Sequence, residues 1–147
     1  MYPRIDAPSE FCHPVERLLN LRGILPAEEI RTSDNKDHKG DPIRYVINRG
    51  LTTLTTIGCL TGFESHVRRY HGLGELNSVE AAIYPYDDSG PFCRAGDSGS
   101  IIADVHGKFV ALLTGGTGPT DSSDITYGSP MYWLWGVIEA KFPGANL

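Results

Sequence analysis

Residues 91–104 read PFCRAGDSGSIIAD, with Gly96-Asp97-Ser98-Gly99-Ser100 at the centre. A glycine before the serine frees the backbone to turn its N–H groups inward, and a glycine after it lets another backbone approach. A serine hydroxyl is a poor nucleophile unless a base takes its proton. It also needs amide donors aimed where an oxyanion forms. Gly96, Asp97 and Ser98 can build such an oxyanion hole, with the hydroxyl of Ser98 beside it. Two rival readings exist. The G-x-S-x-G nucleophile elbow leads into a helix, but here its last position is Ser100 and a strand follows. The other rival is a polar Gly-Ser turn between strands, and five residues alone do not separate it from a nucleophile loop.

Working outward, the chain from residue 43 onward reads as short strands. IRYVIN (43–48), the Thr-rich LTTLTTIGCL (51–60) and VEAAIYPY (79–86) come first. SIIADVHGKFVALLTGG (100–116) reads as a hairpin turning near His106-Gly107, and DITYGSPM (124–131) as a further strand. FESHVRRYHG (63–72) fits a loop or one helical turn. Six closely spaced short strands predict a small barrel or sandwich. Ser129-Pro130 then reads as an N-cap and first-turn pair. Met131, Leu134, Trp135, Ile138 and Phe142 follow at helical spacing, and Pro143-Gly144 stops the helix. Trp133 and Trp135 are expected as core anchors rather than a ligand cage.

Residues 1–43 hold few β-branched residues and read as a loop and helical extension. Pro14 opens a short helix that Gly23 closes, Pro26 opens a second turn over AEEI, and 32–42 is an exposed polar loop. The expected division is 1–43 for this extension and 44–147 for the β domain with its terminal helix.

Composition narrows the function. The 147 residues suit one domain, and the net charge of −5 gives no electrostatic footprint for nucleic acid. No apolar run reaches membrane-spanning length, and MYPRIDAPSEF lacks a hydrophobic signal core. The expectation is therefore no nucleic-acid partner, no membrane partner and a cytoplasmic location by default. Cys12, Cys59 and Cys93 are an odd, irregular set that matches neither a disulfide framework nor a zinc pattern. His66 and His71 do not share one helix face, so no metal site is expected, and no cofactor is. A phosphate site at GGTG (115–118) would need a helix N-terminus after the glycines. Pro119 and a strand follow instead.

Over roughly residues 44–142 the chain resembles the C-terminal half of trypsin/chymotrypsin-like serine proteases of the PA clan. Their nucleophile loop is G-D-S-G followed by Gly or Ser. It leads into a hairpin whose second strand ends in Ser/Thr-x-Gly, then a last strand and a terminal helix. FVALLTGG (109–116), Ile125-Thr126-Tyr127 and the helix follow in that order here. The run down to LLTGGTGPTDSSDITYGSPMYWLW is most similar to trypsin-fold proteins of mushroom-forming (basidiomycete) fungi. The resemblance implies a single six-stranded antiparallel barrel, the second of that fold, with peptide or protein substrates. It implies Ser98 as nucleophile and the Gly96 and Ser98 amides as oxyanion hole. Thr114, Gly115 and Gly116 become the wall that pairs with substrate backbone, and Phe92 lies near the base of the specificity pocket. A non-acidic residue there argues against cleavage after Lys or Arg.

Three departures qualify the resemblance. The family's cysteine lies four residues before the serine and is bridged to a later one, whereas Cys93 lies five before Ser98 and no cysteine follows. MYPR is not the apolar N-terminus that pairs with the loop aspartate in activated trypsins, so a buried Asp97 needs another partner, with Arg94 and Arg44 as candidates. The family's histidine and aspartate come from a first barrel. Of the upstream histidines only His13 leaves room for a later aspartate (Asp34, Asp37 or Asp41), and about thirty residues before the first strand cannot hold six strands. The expectation is a peptidase homologue that hydrolyses peptide bonds through an acyl-enzyme only when a base is supplied, by a missing first barrel or another copy, and is inactive alone. The alternative is a non-catalytic peptide- or protein-binding module on the same scaffold.

Overall fold

In a computed structural model of the chain, residues 19–33, 35–37, 39–72, 74–86, 90–117 and 125–147 are described, without the His71 side chain. The elements are α1 (Ala27–Arg31), β1 (Arg44–Gly50), β2 (Leu54–His71), β3 (Gly74–Pro85), β4 (Ile101–Asp104), β5 (Phe109–Gly116), β6 (Thr126–Pro130) and α2 (Met131–Lys141). The chain is mainly β. All six strands form one antiparallel sheet in the order β1-β2-β3-β6-β5-β4, and β4 pairs back onto β1 to close it.

Alternation is clean in β1, whereas β3 and β4 carry unbroken buried runs. In β1, Arg44, Val46, Asn48 and Gly50 point inward while the residues between them are half-buried or exposed. Val46, Leu60, Ala81, Ile83, Phe92, Ile102, Val110, Ala111 and Leu113 meet in one core. Leu25 and Ile30 join that core at 0 % and 2 % exposure, and Ile24 bridges in parallel to Phe109. The stretch ahead of the sheet is thus part of the packing. α1 sits where Pro26 was expected to open a turn. Of the helix expected between Pro14 and Gly23, residues 14–18 fall outside the described residues and 19–23 are not helical; Cys12, His13, Gly118 and Pro119 also fall outside.

Buried charge ties the elements together. Asp104 is wholly buried and accepts from the His106 and Lys108 amides at 2.9 and 2.8 Å. It also accepts from Arg44 Nη1 at 3.3 Å, while Arg44 Nη2 donates to the Glu29 carbonyl at 3.2 Å. This one arginine links α1, β1 and the β4–β5 turn. That turn lies where His106-Gly107 predicted it.

Three expectations need correction. Residues 63–72 are neither loop nor helix: β2 runs on to His71 and pairs with Gly74–Ala81, past an irregularity between Leu60 and Glu64 where Gly62 takes φ +84°. The hairpin thereby becomes an arm projecting beyond the closed part of the sheet. Its sequence hides this because charged and polar residues are interleaved with Val67, Tyr70, Leu76 and Val79 on both faces of the arm. Ser129 does not cap α2. It lies in β6, and its hydroxyl donates to Glu80 Oε2 at 3.1 Å, leaving Pro130 at the cap without a side-chain bond. Trp133 is no core anchor: it is 58 % exposed, with Val137 and Phe142 also exposed. Of α2 only Met131 is buried, and the helix packs on β5 and β6.

The packing of Leu25 yields a test. Leu25→Ala should cost about 2–4 kcal/mol of unfolding free energy, the range for a wholly buried leucine. Urea unfolding followed by tryptophan fluorescence reads it, and a loss below about 0.5 kcal/mol would mean the segment is a detachable extension.

Candidate active site

The loop around Gly96–Ser100 precedes β4, and two successive turns shape it. The Asp97 amide donates to the Arg94 carbonyl and the Ser100 amide to the Asp97 carbonyl, each at 3.0 Å. Gly96 takes φ +103° and Gly99 φ +87°, a region where side-chain-bearing residues are strained. At Gly96 a Cβ would also stand 2.6 Å from Thr52 Oγ1.

Three anchors hold the loop. On β5, the Gly99 amide donates to the Leu113 carbonyl at 2.8 Å and the Leu113 amide to the Ser100 carbonyl at 3.0 Å. On β1, Ser100 Oγ donates to Oδ1 of the buried Asn48 at 2.6 Å. The third anchor is Asp97 itself, only 1 % exposed. Its Oδ1 accepts from the amides of Thr52 and Thr53 at 2.7 and 3.3 Å. Its Oδ2 accepts from Thr53 Oγ1 at 2.7 Å and the Arg94 amide at 2.9 Å. Burial pushes this carboxyl up, but the Arg94 amide, the Thr53 hydroxyl and the Thr52 and Thr53 amides outweigh it and hold its pKa below the usual range. Gly50 makes room, since a Cβ there would lie 2.2 Å from Asp97 Oδ1.

The partner expected for Asp97 was a cation. Arg44 is committed to Asp104, and Arg94 contributes its backbone N–H. A set of oriented hydrogen-bond donors therefore compensates the buried carboxylate in place of a cation.

What the loop leaves open matters most. The amides of Asp97, Gly99 and Ser100 are all bonded within the chain, whereas those of Gly96 and Ser98 find no acceptor among the described residues. The Ser98 hydroxyl has no hydrogen-bond partner there either, and Ser98 is exposed. The Gly96 and Ser98 amides and the Ser98 hydroxyl are thus open to solvent on a loop anchored from below.

The remaining sequence-predicted residues fall on two levels. Thr114, Gly115 and Gly116 close β5 beside the loop. Gly115 and Gly116 pair with β6 while Thr114 lies at an irregularity between Leu113 and Gly115, and on the other side β5 pairs with β4 only as far as Leu112 and with the loop at Leu113. Their outer edge carries no strand among the described residues. The Thr114 hydroxyl turns inward, within 3.1 Å of Glu80 Oε2 and 3.2 Å of the Tyr127 carbonyl. Phe92 lies beneath, wholly buried, with its ring where a Cβ on Gly58 would stand at 2.6 Å. Its carbonyl accepts from Thr56 Oγ1 at 2.7 Å. Cys93 is buried next to Thr126, whose hydroxyl donates to its Sγ at 3.1 Å.

No described histidine hydrogen-bonds to Ser98. His106 sits at the far end of β4, some four extended residues or roughly 13 Å along the strand. His66 pairs with Val79 on the arm. Among the described residues no three metal-ligating side chains converge.

Sequence reading missed Asn48, Thr52, Thr53 and Thr56. The Thr-Thr pairs at 52–53 and 55–56 read only as strand formers, although they carry the hydroxyls and amides that hold the loop.

No protein-family model matches the chain, and no curated protein matches it. Among solved structures it is similar to the crystal structure of a chymotrypsin from Cellulomonas bogoriensis, at 16 % identity and a TM-score of 0.47. The likeness covers 76 % of this chain and 52 % of that one, so the chain spans about half the length of the protein it matches. It is a likeness of fold.

The Asp97 clamp predicts a pH-dependent penalty. Asp97→Asn replaces one acceptor oxygen with a donor facing N–H or O–H groups and should cost about 2 kcal/mol at neutral pH. A depressed folded pKa contributes stability above the unfolded carboxyl pKa, and that stability is lost as pH falls through the folded value. The gap between wild type and variant in urea titrations should therefore close progressively below about pH 4. A gap that stays constant down to acid pH would show that Asp97 is not held as a carboxylate.

Proposed function

We propose that the chain is a trypsin-like serine-peptidase homologue, the nucleophile-bearing C-terminal barrel of that fold, of the kind found in mushroom-forming fungi. An extended peptide lies along Thr114, Gly115 and Gly116 as an added strand and presents a carbonyl to Ser98. Attack by Ser98 Oγ forms the tetrahedral intermediate, whose oxyanion accepts from the Gly96 and Ser98 amides. Collapse expels the amine and leaves an acyl-enzyme, which water hydrolyses.

One observation carries this reading: the Gly96 and Ser98 amides are unspent while their neighbours are bonded, and the unpaired Ser98 hydroxyl stands with them.

Hydrolysis further requires a base for the Ser98 proton. In this reading it comes from a histidine and aspartate outside residues 44–147, on a first barrel that joins this one, with a second copy of the chain as the other possible donor. Without it the site binds peptide and hydrolyses it only at the weak level that oxyanion stabilisation allows. The absence of a histidine at Ser98 among the described residues favours a second reading, a binding module that uses the same edge without chemistry.

Titration of the labelled chain with a blocked extended tetrapeptide tests the site. Amide shifts should concentrate at Gly96, Ser98, Gly115 and Gly116, and perturbations confined to other surfaces would overturn the reading. A fluorophosphonate probe then separates the two forms. Labelling that disappears in Ser98→Ala marks a serine with a working base, whereas equal background in both proteins marks the binding module.

A further inference from the structure

The β2–β3 arm has two faces, because cross-strand partners share a side of the sheet. One carries His66 with Val79, Arg68 with Asn77 and Tyr70 with Glu75. The other carries Ser65 with Glu80, Val67 with Ser78 and Arg69 with Leu76. The second face turns toward the open end of β5. Arg69 Nη2 donates to the Thr114 carbonyl at 3.3 Å, and a Cβ on Gly115 would stand 3.2 Å from the same nitrogen. A side chain at 115 would press on the guanidinium. The bare backbone there lets Arg69 lie against the wall.

No carboxylate stands within ion-pair distance of Arg69 among the described residues, and the buried Glu80 on the same face accepts from Thr114 Oγ1 and Ser129 Oγ instead. Arg31, Arg44, Arg68 and Lys108 each stand within 4.0 Å of a carboxylate. Arg69 has no such partner among the described residues, and its recorded hydrogen bond goes to a neutral carbonyl. It is half-buried, so solvent screens it only in part. A guanidinium presents five donors in a planar fork that matches a carboxylate. One of those donors is spent on Thr114.

From this we infer that Arg69 is a specificity residue, which selects extended peptides carrying an acidic side chain where they pass Thr114–Gly116. The inference rests on the reading of that edge as a peptide site. A peptide added to the open edge of β5 runs beside the guanidinium. A Glu or Asp side chain on the facing position then replaces water at the free donors with a charge-assisted pair. A Lys or Arg at that position meets a like charge. The preference comes from the arm and not from the buried Phe92.

The test uses the full chain and fluorescein-labelled blocked hexapeptides on an Ala/Val background, with one Glu or Gln placed at each position in turn, read by polarisation. At one position the Glu peptide should bind about tenfold more tightly than its Gln counterpart, and the ratio should fall as salt rises. Arg69→Gln should bring that ratio to about one, Arg69→Lys should retain part of it, and Arg69→Glu should turn the preference toward a Lys peptide. Arg68→Gln, on the opposite face, should leave the ratio unchanged. If peptides bind the wild type but Glu and Gln are indistinguishable at every position, the role of Arg69 is wrong while the peptide edge stands. If no peptide binds, the edge reading fails and this inference fails with it.

Discussion

A single buried carboxylate organises the site. Asp97 lies between the nucleophile loop and the turn joining β1 to β2, and it collects four hydrogen bonds, three of them from backbone amides. Removing a carboxylate from water is costly unless its lone pairs are satisfied. Here the donors come from two segments distant in sequence, so satisfying the charge also fixes the distance between them. Gly50 and Gly96 are consequences of that constraint, since side chains at either place would intrude on Asp97 or on Thr52. Asn48 and Leu113 then fix the far end of the loop.

This fixation has a chemical result. The loop's exposed N–H groups face solvent. Held at both ends, the loop bonds the amides of Asp97, Gly99 and Ser100 and leaves those of Gly96 and Ser98 open. Donors that are already oriented stabilise a developing oxyanion without reorganising at the moment of reaction. The same rigidity places the outer edge of Thr114–Gly116 next to Ser98. The end of β5 and the Ser98 loop are thereby set by one set of contacts.

Much of this was legible in the sequence. IRYVIN was read as a strand and SIIADVHGKFVALLTGG as a hairpin turning near His106-Gly107, and they form β1 and the β4–β5 pair. GDSGS, with its two glycines, announced a loop of special backbone geometry. The arm was not legible, because Glu64, His66, Arg68, Arg69 and Tyr70 are exposed or half-buried and alternate no hydrophobicity. α2 was found through Met131, Leu134, Trp135 and Ile138, which are buried or half-buried, whereas Trp133 lies off that stripe and is exposed, as is Phe142 at its end. The partner of Asp97 escaped because charge compensation by backbone amides leaves no residue type to search for. Phe92 and Arg69 show the same limit: whether a side chain lies under a wall or beside it depends on how the strands curl.

Amide hydrogen exchange across residues 96–100 tests the central claim most directly. The account predicts that the Gly96 and Ser98 amides exchange near the rate of an unprotected chain, while those of Asp97, Gly99 and Ser100 are protected, in an alternation that Asp97→Asn erases. Uniform protection, or uniform exchange, across the five amides of the wild-type protein would contradict it.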